Sequence, residues 1–213
     1  WAPALGREGP SPAVYGARAT VRGVRLVLEG LTGTGKSSTI AALGRIGLAP
    51  ACVVSEEETL GDAMDELPPD ERVGPAFTRR LEAVIARLER ERPPTFLLER
   101  GHLSYMALVP RWELVDAFDA RLGDLGARLA LLVVPDEALA ARSLLREEYG
   151  GADFQAFAER FGSVAAALEA LRVSQARRVD ALTRTRLPHR TFDTSSKDWD
   201  RVARDVAAWA ASP

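Results

Sequence analysis

Gly30-Leu31-Thr32-Gly33-Thr34-Gly35-Lys36-Ser37 fills the spacing G-x-x-x-x-G-K-[ST] without a gap, and no other stretch of the chain constrains the fold as tightly. Each part has a physical job. The glycines let the backbone turn sharply enough for successive N–H groups to point inward at one anion. A helix beginning at Lys36 adds the positive end of its dipole. The Lys36 ammonium is placed to reach the β- and γ-phosphates of a nucleotide, and the Ser37 hydroxyl to ligate Mg²⁺. Gly30, Leu31, Thr32, Gly33, Thr34, Gly35, Lys36, Ser37 and Ser38 are therefore the expected nucleotide-binding residues, with Lys36 also catalytic. The bland alternative is a flexible glycine turn. Against it stands the context, an apolar strand over residues 24–28 before the loop and a helix from Lys36 to about Leu43 after it. Composition argues the same way: the chain has 26 arginines but only two lysines, Lys36 and Lys197, and one of the two fills the demanded slot.

Working outward, short unalternating apolar runs recur at 51–54, 95–98 and 129–134, and a short fifth strand is expected over 190–193 after Pro188. Between them lie helical patterns. Phe77, Leu81, Val84, Ile85 and Leu88 mark a helix over about 75–92, and Trp112, Val115, Phe118 and Leu122 mark one opening at Pro110. Others run from Pro135 to about Tyr149 and over about 153–185, and a closing helix carries Trp199, Val202, Val206 and Trp209. Short buried strands separated by helices imply a parallel sheet covered on both faces. The expectation is an α/β three-layer fold with a five-stranded parallel sheet in the order 2-3-1-4-5. Residues 1–20 hold three prolines, three glycines and no apolar core of a signal peptide, and read as a loose leader. Residues 21–213 read as a single domain with no repeat and no linker.

Composition narrows the function. A net charge of −2 and a pI near 5.8 offer no basic surface for nucleic acid, and no apolar run approaches the roughly 20 residues of a membrane span. The single cysteine, Cys52, and two histidines, His102 and His189, supply neither a disulfide nor a zinc cluster, which fits a reduced, cytoplasmic setting. The chain has no asparagine and no D-x-x-G, so the guanine-reading and switch motifs of a GTPase are missing.

Glu99-Arg100 follows the third apolar run directly. In an open α/β sheet that is where ligands bind, so Glu99 is placed to hold Mg²⁺ and Arg100 to face phosphate. The alternative is a surface ion pair at a strand end.

Leu28-Glu29-Gly30-Leu31-Thr32-Gly33-Thr34-Gly35-Lys36-Ser37-Ser38 resembles the opening of the thymidylate kinase and deoxynucleoside kinase family. Glu99-Arg100-Gly101-His102-Leu103-Ser104-Tyr105-Met106-Ala107 is similar to the acidic-Arg pair of that family, with its serine four residues after the arginine. The resemblance extends over about residues 24–210. It implies a P-loop kinase fold with a small helical lid, ATP and Mg²⁺ as cofactors, and a catalytic or substrate-binding carboxylate beyond the second strand, where Glu57 aligns best. The Arg-Glu-Pro segment of thymidylate kinases is replaced here by Glu56-Glu57-Glu58, and the serine directly after Glu-Arg in deoxynucleoside kinases by Gly101. It also implies an arginine-rich lid at about 142–152.

Arg142 and Arg146, four apart, share a helix face ahead of Gly150-Gly151. They are expected to close over the donor phosphates, or else to form an exposed face paired with Glu147 and Glu148. Arg79 and Arg80 point about 100° apart, so one of them is expected in the acceptor cleft. Glu57 is expected to serve the acceptor hydroxyl as general base, with His102 a further substrate contact, although an acidic run is as readily a solvated loop. The function that follows is transfer of the γ-phosphoryl group of ATP to a small-molecule acceptor, a nucleoside or nucleotide in the first instance. The alternatives are a kinase of a non-nucleotide alcohol (a sugar, antibiotic or secondary metabolite) and a P-loop ATPase or regulatory module. A homodimer is compatible with each.

Overall fold

A computed structural model describes residues 23–61, 73–144, 159 and 161–212. The leader at 1–20, Arg146 and most of the expected lid lie outside the described residues.

Five strands form one parallel sheet in the order β2-β3-β1-β4-β5, as the sequence leads one to expect. They are β1 (Arg25–Gly30), β2 (Cys52–Val54), β3 (Phe96–Glu99), β4 (Arg128–Val133) and β5 (His189–Asp193). β1 is central. Leu28 pairs with Glu99 of β3 on one side and with Ala130 of β4 on the other, so the phosphate loop and the Glu99-Arg100 pair leave the sheet side by side. The period of two sorts the side chains cleanly. Val27, Leu98, Phe96, Leu129 and Leu131 enter one core, under α3 (Val73–Glu91), α4 (His102–Leu108), α5 (Asp116–Asp124) and the end of α7 (Val164–Ala181). Leu26, Leu28, Leu97, Ala130, Leu132 and Phe192 enter the other, under α1 (Lys36–Arg45) and α8 (Trp199–Ala210). Fully burying a side chain of this size contributes roughly 1.5–3 kcal/mol, so the two cores carry the fold.

α1 and α4 lie on opposite faces, so the chain leaves β1 and β3 in opposite directions. That divergence opens a crevice at the carboxyl ends of these two strands. Two short elements complete the chain: α2 (Glu56–Thr59), directly after β2, and α6 (Asp136–Leu139), which widens into a π-helical turn over Ala140–Leu144.

The structure departs from the sequence reading at three places. α4 has no counterpart in the periodicity because His102 through Ala107 are all buried, and a helix buried all round shows no apolar stripe. The helix expected from Pro110 opens as a 3₁₀ turn over Trp112–Leu114, and α5 begins only at Asp116. The helix expected over 153–185 is broken ahead of Val164: Gly162 takes φ +77°, and the Ser163 side chain caps α7 by accepting the Ala166 N–H at 3.1 Å.

Candidate active site

The phosphate loop is held open by its own backbone chemistry. Gly33 and Gly35 both take φ +88°, and a side chain on Gly35 would run into the Trp199 ring. The Thr34 hydroxyl donates to the Leu31 carbonyl at 2.9 Å, and the Lys36 ammonium donates to the same carbonyl at 3.3 Å. The lysine is thus curled back over the loop, where Thr32, Gly33, Gly35, Ser37 and Ser38 line the cleft with it. Leu31 turns away into a small apolar cluster with Val134, Leu139, Ala167 and Leu171.

Arg100 comes to this cleft from β3. It takes φ +59°, a left-handed conformation that costs a non-glycine residue about 1–3 kcal/mol and persists only where the surroundings enforce it. Its guanidinium is buried. Nη2 donates to the Thr32 hydroxyl at 3.1 Å, and Nε lies 2.8 Å from Glu56 Oε2. Nη1 has no hydrogen-bond partner among the described residues. The same Glu56 oxygen lies 3.5 Å from the Lys36 ammonium. Two buried cations therefore converge on one carboxylate.

Burial and this clustering together set the electrostatics. Burial and the neighbouring Arg100 pull Lys36 down to about 7, against the weaker opposing pull of Glu56 and Glu99. Burial alone would push the Glu56 carboxyl up, but Arg100 and Lys36 outweigh it and hold the group below the ordinary carboxylate range. Glu99 is pushed the other way, up, by burial that its nearby cations do not offset.

The acidic run resolves into three directions because consecutive helical residues point about 100° apart. Glu56 faces the cleft. Glu57 is exposed, and a hydrogen bond with the Ser55 side chain lowers its carboxyl. Glu58 turns back to accept the Ser55 N–H at 3.3 Å and lies 2.8 Å from Arg87 of α3. The carboxylate in the cleft is thus one residue before the expected Glu57. The shift has a local cause: Ser55 is the N-cap of α2, which makes Glu56 the first helical residue.

Other expected contacts are placed elsewhere. His102 is fully buried and faces Asp119 of α5, with Nε2 3.0 Å from Oδ1, instead of entering the acceptor cleft. Asp119 is held there by the Arg186 N–H at 2.9 Å and by the Thr185 hydroxyl. Arg79 is exposed on α3, and Arg80, also exposed, reaches the Glu57 carbonyl at 3.3 Å. Arg142 straps two loops together. It donates to the Gly33 carbonyl at 3.2 Å and the Thr194 carbonyl at 2.9 Å, and stacks over the Trp199 ring, while Ser143 donates to the Thr32 carbonyl at 2.7 Å.

Beneath the cleft lies a group that sequence reasoning did not single out. Glu29 of β1 is fully buried and accepts the Gly101 N–H at 2.7 Å, the Ser104 N–H at 3.2 Å and the Ser104 hydroxyl at 2.7 Å. Arg178 of α7, also buried, reaches the Ser104 hydroxyl at 3.4 Å and is anchored on Ser174. The available signal was an acidic residue ending an apolar strand, where burial without donors would be costly.

No protein-family model matches the chain, and no curated protein matches its sequence. Among solved structures, the chain is similar to a thymidylate kinase from Candida albicans, with TM-score 0.55, 13% identity, and 87% of this chain and 89% of that one covered. It is similar to a deoxyadenosine kinase from M. mycoides solved with bound dATP, with TM-score 0.55, 11% identity, and coverage of 86% and 99%. It is also similar to a shikimate kinase from Acinetobacter baumannii solved with shikimate, with TM-score 0.52, 14% identity, and coverage of 85% and 89%. At these identities the likeness is one of fold. The chain thus has the P-loop kinase fold that thymidylate, deoxyadenosine and shikimate kinases share.

Proposed function

We propose that this protein transfers the γ-phosphoryl group of ATP to an oxygen of a small acceptor, a nucleoside or nucleotide in the first instance. The observation that carries the reading is the convergence of two buried cations beside the phosphate loop, where Lys36 and Arg100 share Glu56. A polyphosphate offers both cations further anionic oxygens to bind. Phosphoryl transfer needs positioning and charge neutralisation more than covalent help, and this cleft is built for both.

In this reading the loop N–H groups and Lys36 hold the β- and γ-phosphates, and Arg100 presents its unpaired Nη1 to the transferred group. Ser37, exposed at the cleft wall, and Glu99, whose carboxyl burial pushes up, fit a Mg²⁺ ion. Mg²⁺ would neutralise charge on the β- and γ-oxygens. Glu56 takes the acceptor proton. Phosphates entering the cleft draw Lys36 and Arg100 off this carboxylate and raise its basicity at the moment it is needed. Arg142 is tied to the loop at Gly33 on the donor side, and with Arg146 it is proposed to neutralise the donor phosphates.

The acceptor class is drawn from the sequence resemblance and from neighbours that include thymidylate and deoxyadenosine kinases. A second reading, a non-nucleotide alcohol, has its own support in the shikimate kinase neighbour. Cys52, a free and half-buried thiol, fits a reduced cytoplasm. The test is ADP release at fixed ATP and Mg²⁺ across nucleosides, nucleotides, sugars and cyclic hydroxy acids. Stimulation by a nucleoside or nucleotide is expected. Stimulation only by another alcohol moves the protein to the second reading, and ADP release that no acceptor alters rejects the kinase.

A further inference from the structure

We infer that Glu29 is a positioning residue that acts through Arg100, and that Ser104 and Arg178 complete its network. The inference rests on the reading of Arg100 as a phosphate-facing cation. Arg100 stands in a left-handed conformation between two pinned peptide groups. Its own N–H donates to the Leu28 carbonyl at 3.0 Å, and the next N–H, of Gly101, donates to the Glu29 carboxylate at 2.7 Å. Both acceptors belong to β1, the strand that runs into the phosphate loop. The turn carrying Arg100 is therefore registered against the phosphate loop itself, through a carboxylate one residue ahead of Gly30.

The hydrogen-bond directions close on themselves. Glu29 Oε1 takes the N–H groups of Gly101 and Ser104, and Oε2 takes the Ser104 hydroxyl proton. A serine hydroxyl has one proton, so the contact with Arg178 Nη2 at 3.4 Å is one in which Ser104 accepts. The chain Arg178, Ser104, Glu29 thus runs in one direction from a buried cation to a buried anion. Gly101 is tightly placed as well: a side chain there would press on Val27 and approach Glu29 Oε1. Glu29 touches neither the phosphate loop's cleft nor Lys36, so its influence on bound phosphate passes through the turn it holds.

The test uses the full chain labelled with ¹⁵N in its arginine side chains, with the Arg100 Nε–Hε signal assigned by its loss in Arg100→Lys. In the wild type that signal is expected to be protected from solvent exchange. In Glu29→Gln, which keeps the volume but replaces an acceptor oxygen by a donor, protection is expected to be lost, and in Ser104→Ala to be partly lost. Thermal melting checks that each variant is folded. If Glu29→Gln fails to fold, Ser104→Ala decides alone. An unchanged Arg100 signal in the folded variants overturns the inference.

A second arm measures affinity for a non-hydrolysable ATP analogue with Mg²⁺. Glu29→Gln is expected to weaken binding about tenfold in the wild-type background and less than about twofold in Arg100→Lys, the non-additivity of residues that act as one unit. Equal losses in both backgrounds overturn the inference. If Arg100→Lys itself binds the analogue as the wild type does, the phosphate role of Arg100 fails, while the exchange signal still decides whether Glu29 positions it.

Discussion

Two ion clusters flank the α3 side of the molecule and behave oppositely. On the surface, Arg121 of α5 is gripped by two carboxylates of α3: Glu89 meets Nη2 at 2.6 Å, and Glu82 meets Nη1 at 2.7 Å. Cation and anions satisfy one another, and the hydrogen bonds of Glu89 and Glu82 raise Arg121 above its ordinary range. In the cleft the count is reversed. Lys36 and Arg100 share Glu56, Arg178 below them is tied through Ser104 to Glu29, and burial with the neighbouring Arg100 pulls Lys36 down. Both clusters are built from basic side chains and glutamates. An exposed cation gripped by two carboxylates ties two helices together, whereas two buried cations meeting on one carboxylate are left poised for an anion.

That contrast is sharpened first at Glu56. Glu56→Gln removes the negative charge shared by the two cations, so ATP affinity is expected to hold or rise while phosphoryl transfer falls roughly 10²–10⁴-fold, the scale of a lost general base. Glu57→Gln, at an exposed position, is expected to leave both within about twofold, since substitutions at such sites are usually near neutral. Steady-state kinetics on the stimulating acceptor, with calorimetric ATP binding, checks the pair. A crippled Glu57→Gln beside an unimpaired Glu56→Gln would reverse the assignment.

The next expectation is a pH dependence. With Lys36 near 7 in the free protein, phosphate binding raises it again, so ATP binding takes up a proton above that pH. Affinity should therefore fall by up to about tenfold per pH unit above pH 7 and be flat below it from this group, because a tenfold change accompanies one bound proton per unit. Calorimetry in buffers of different ionisation enthalpy reads the proton directly, and Lys36→Arg should abolish the uptake.

The smallest effect belongs to the surface cluster. Arg121→Ala is expected to cost only about 1 kcal/mol of stability in denaturant unfolding, as for exposed pairs, and to leave ATP affinity unchanged. A loss of ATP affinity in this variant would dissolve the distinction between the two clusters.

Much of the architecture was legible in the sequence. The phosphate loop, four apolar runs, a short fifth strand and the helices between them led to the observed strand order, because parallel strands in the middle of a covered sheet read as unbroken apolar stretches. α4 was not legible, since its His102–Ala107 stretch is buried on all sides and carries no stripe. In the site, Lys36, Arg100 and the acidic run were legible as residue types, but direction was not. Glu56 and Glu57 differ only in their place relative to the Ser55 cap, and one residue turns a helical side chain from cleft to solvent. His102 looked like a substrate contact from its place after Arg100, but it pairs with Asp119, a residue 17 positions away that no local pattern ties to it. Glu29 and Arg178 meet through Ser104 across three elements, a long-range arrangement that only the folded chain displays.

The central claim is that the cleft beside Lys36 is a triphosphate site, and calorimetric titration of ATP with Mg²⁺ into the wild type and Lys36→Ala tests it most directly. The account predicts saturable one-to-one binding by the wild type and a loss of at least about 100-fold in Lys36→Ala, the scale of a removed electrostatic contributor in a water-poor site, with thermal melting intact. Absence of binding to the wild type, or equal affinity in the two proteins, would contradict it.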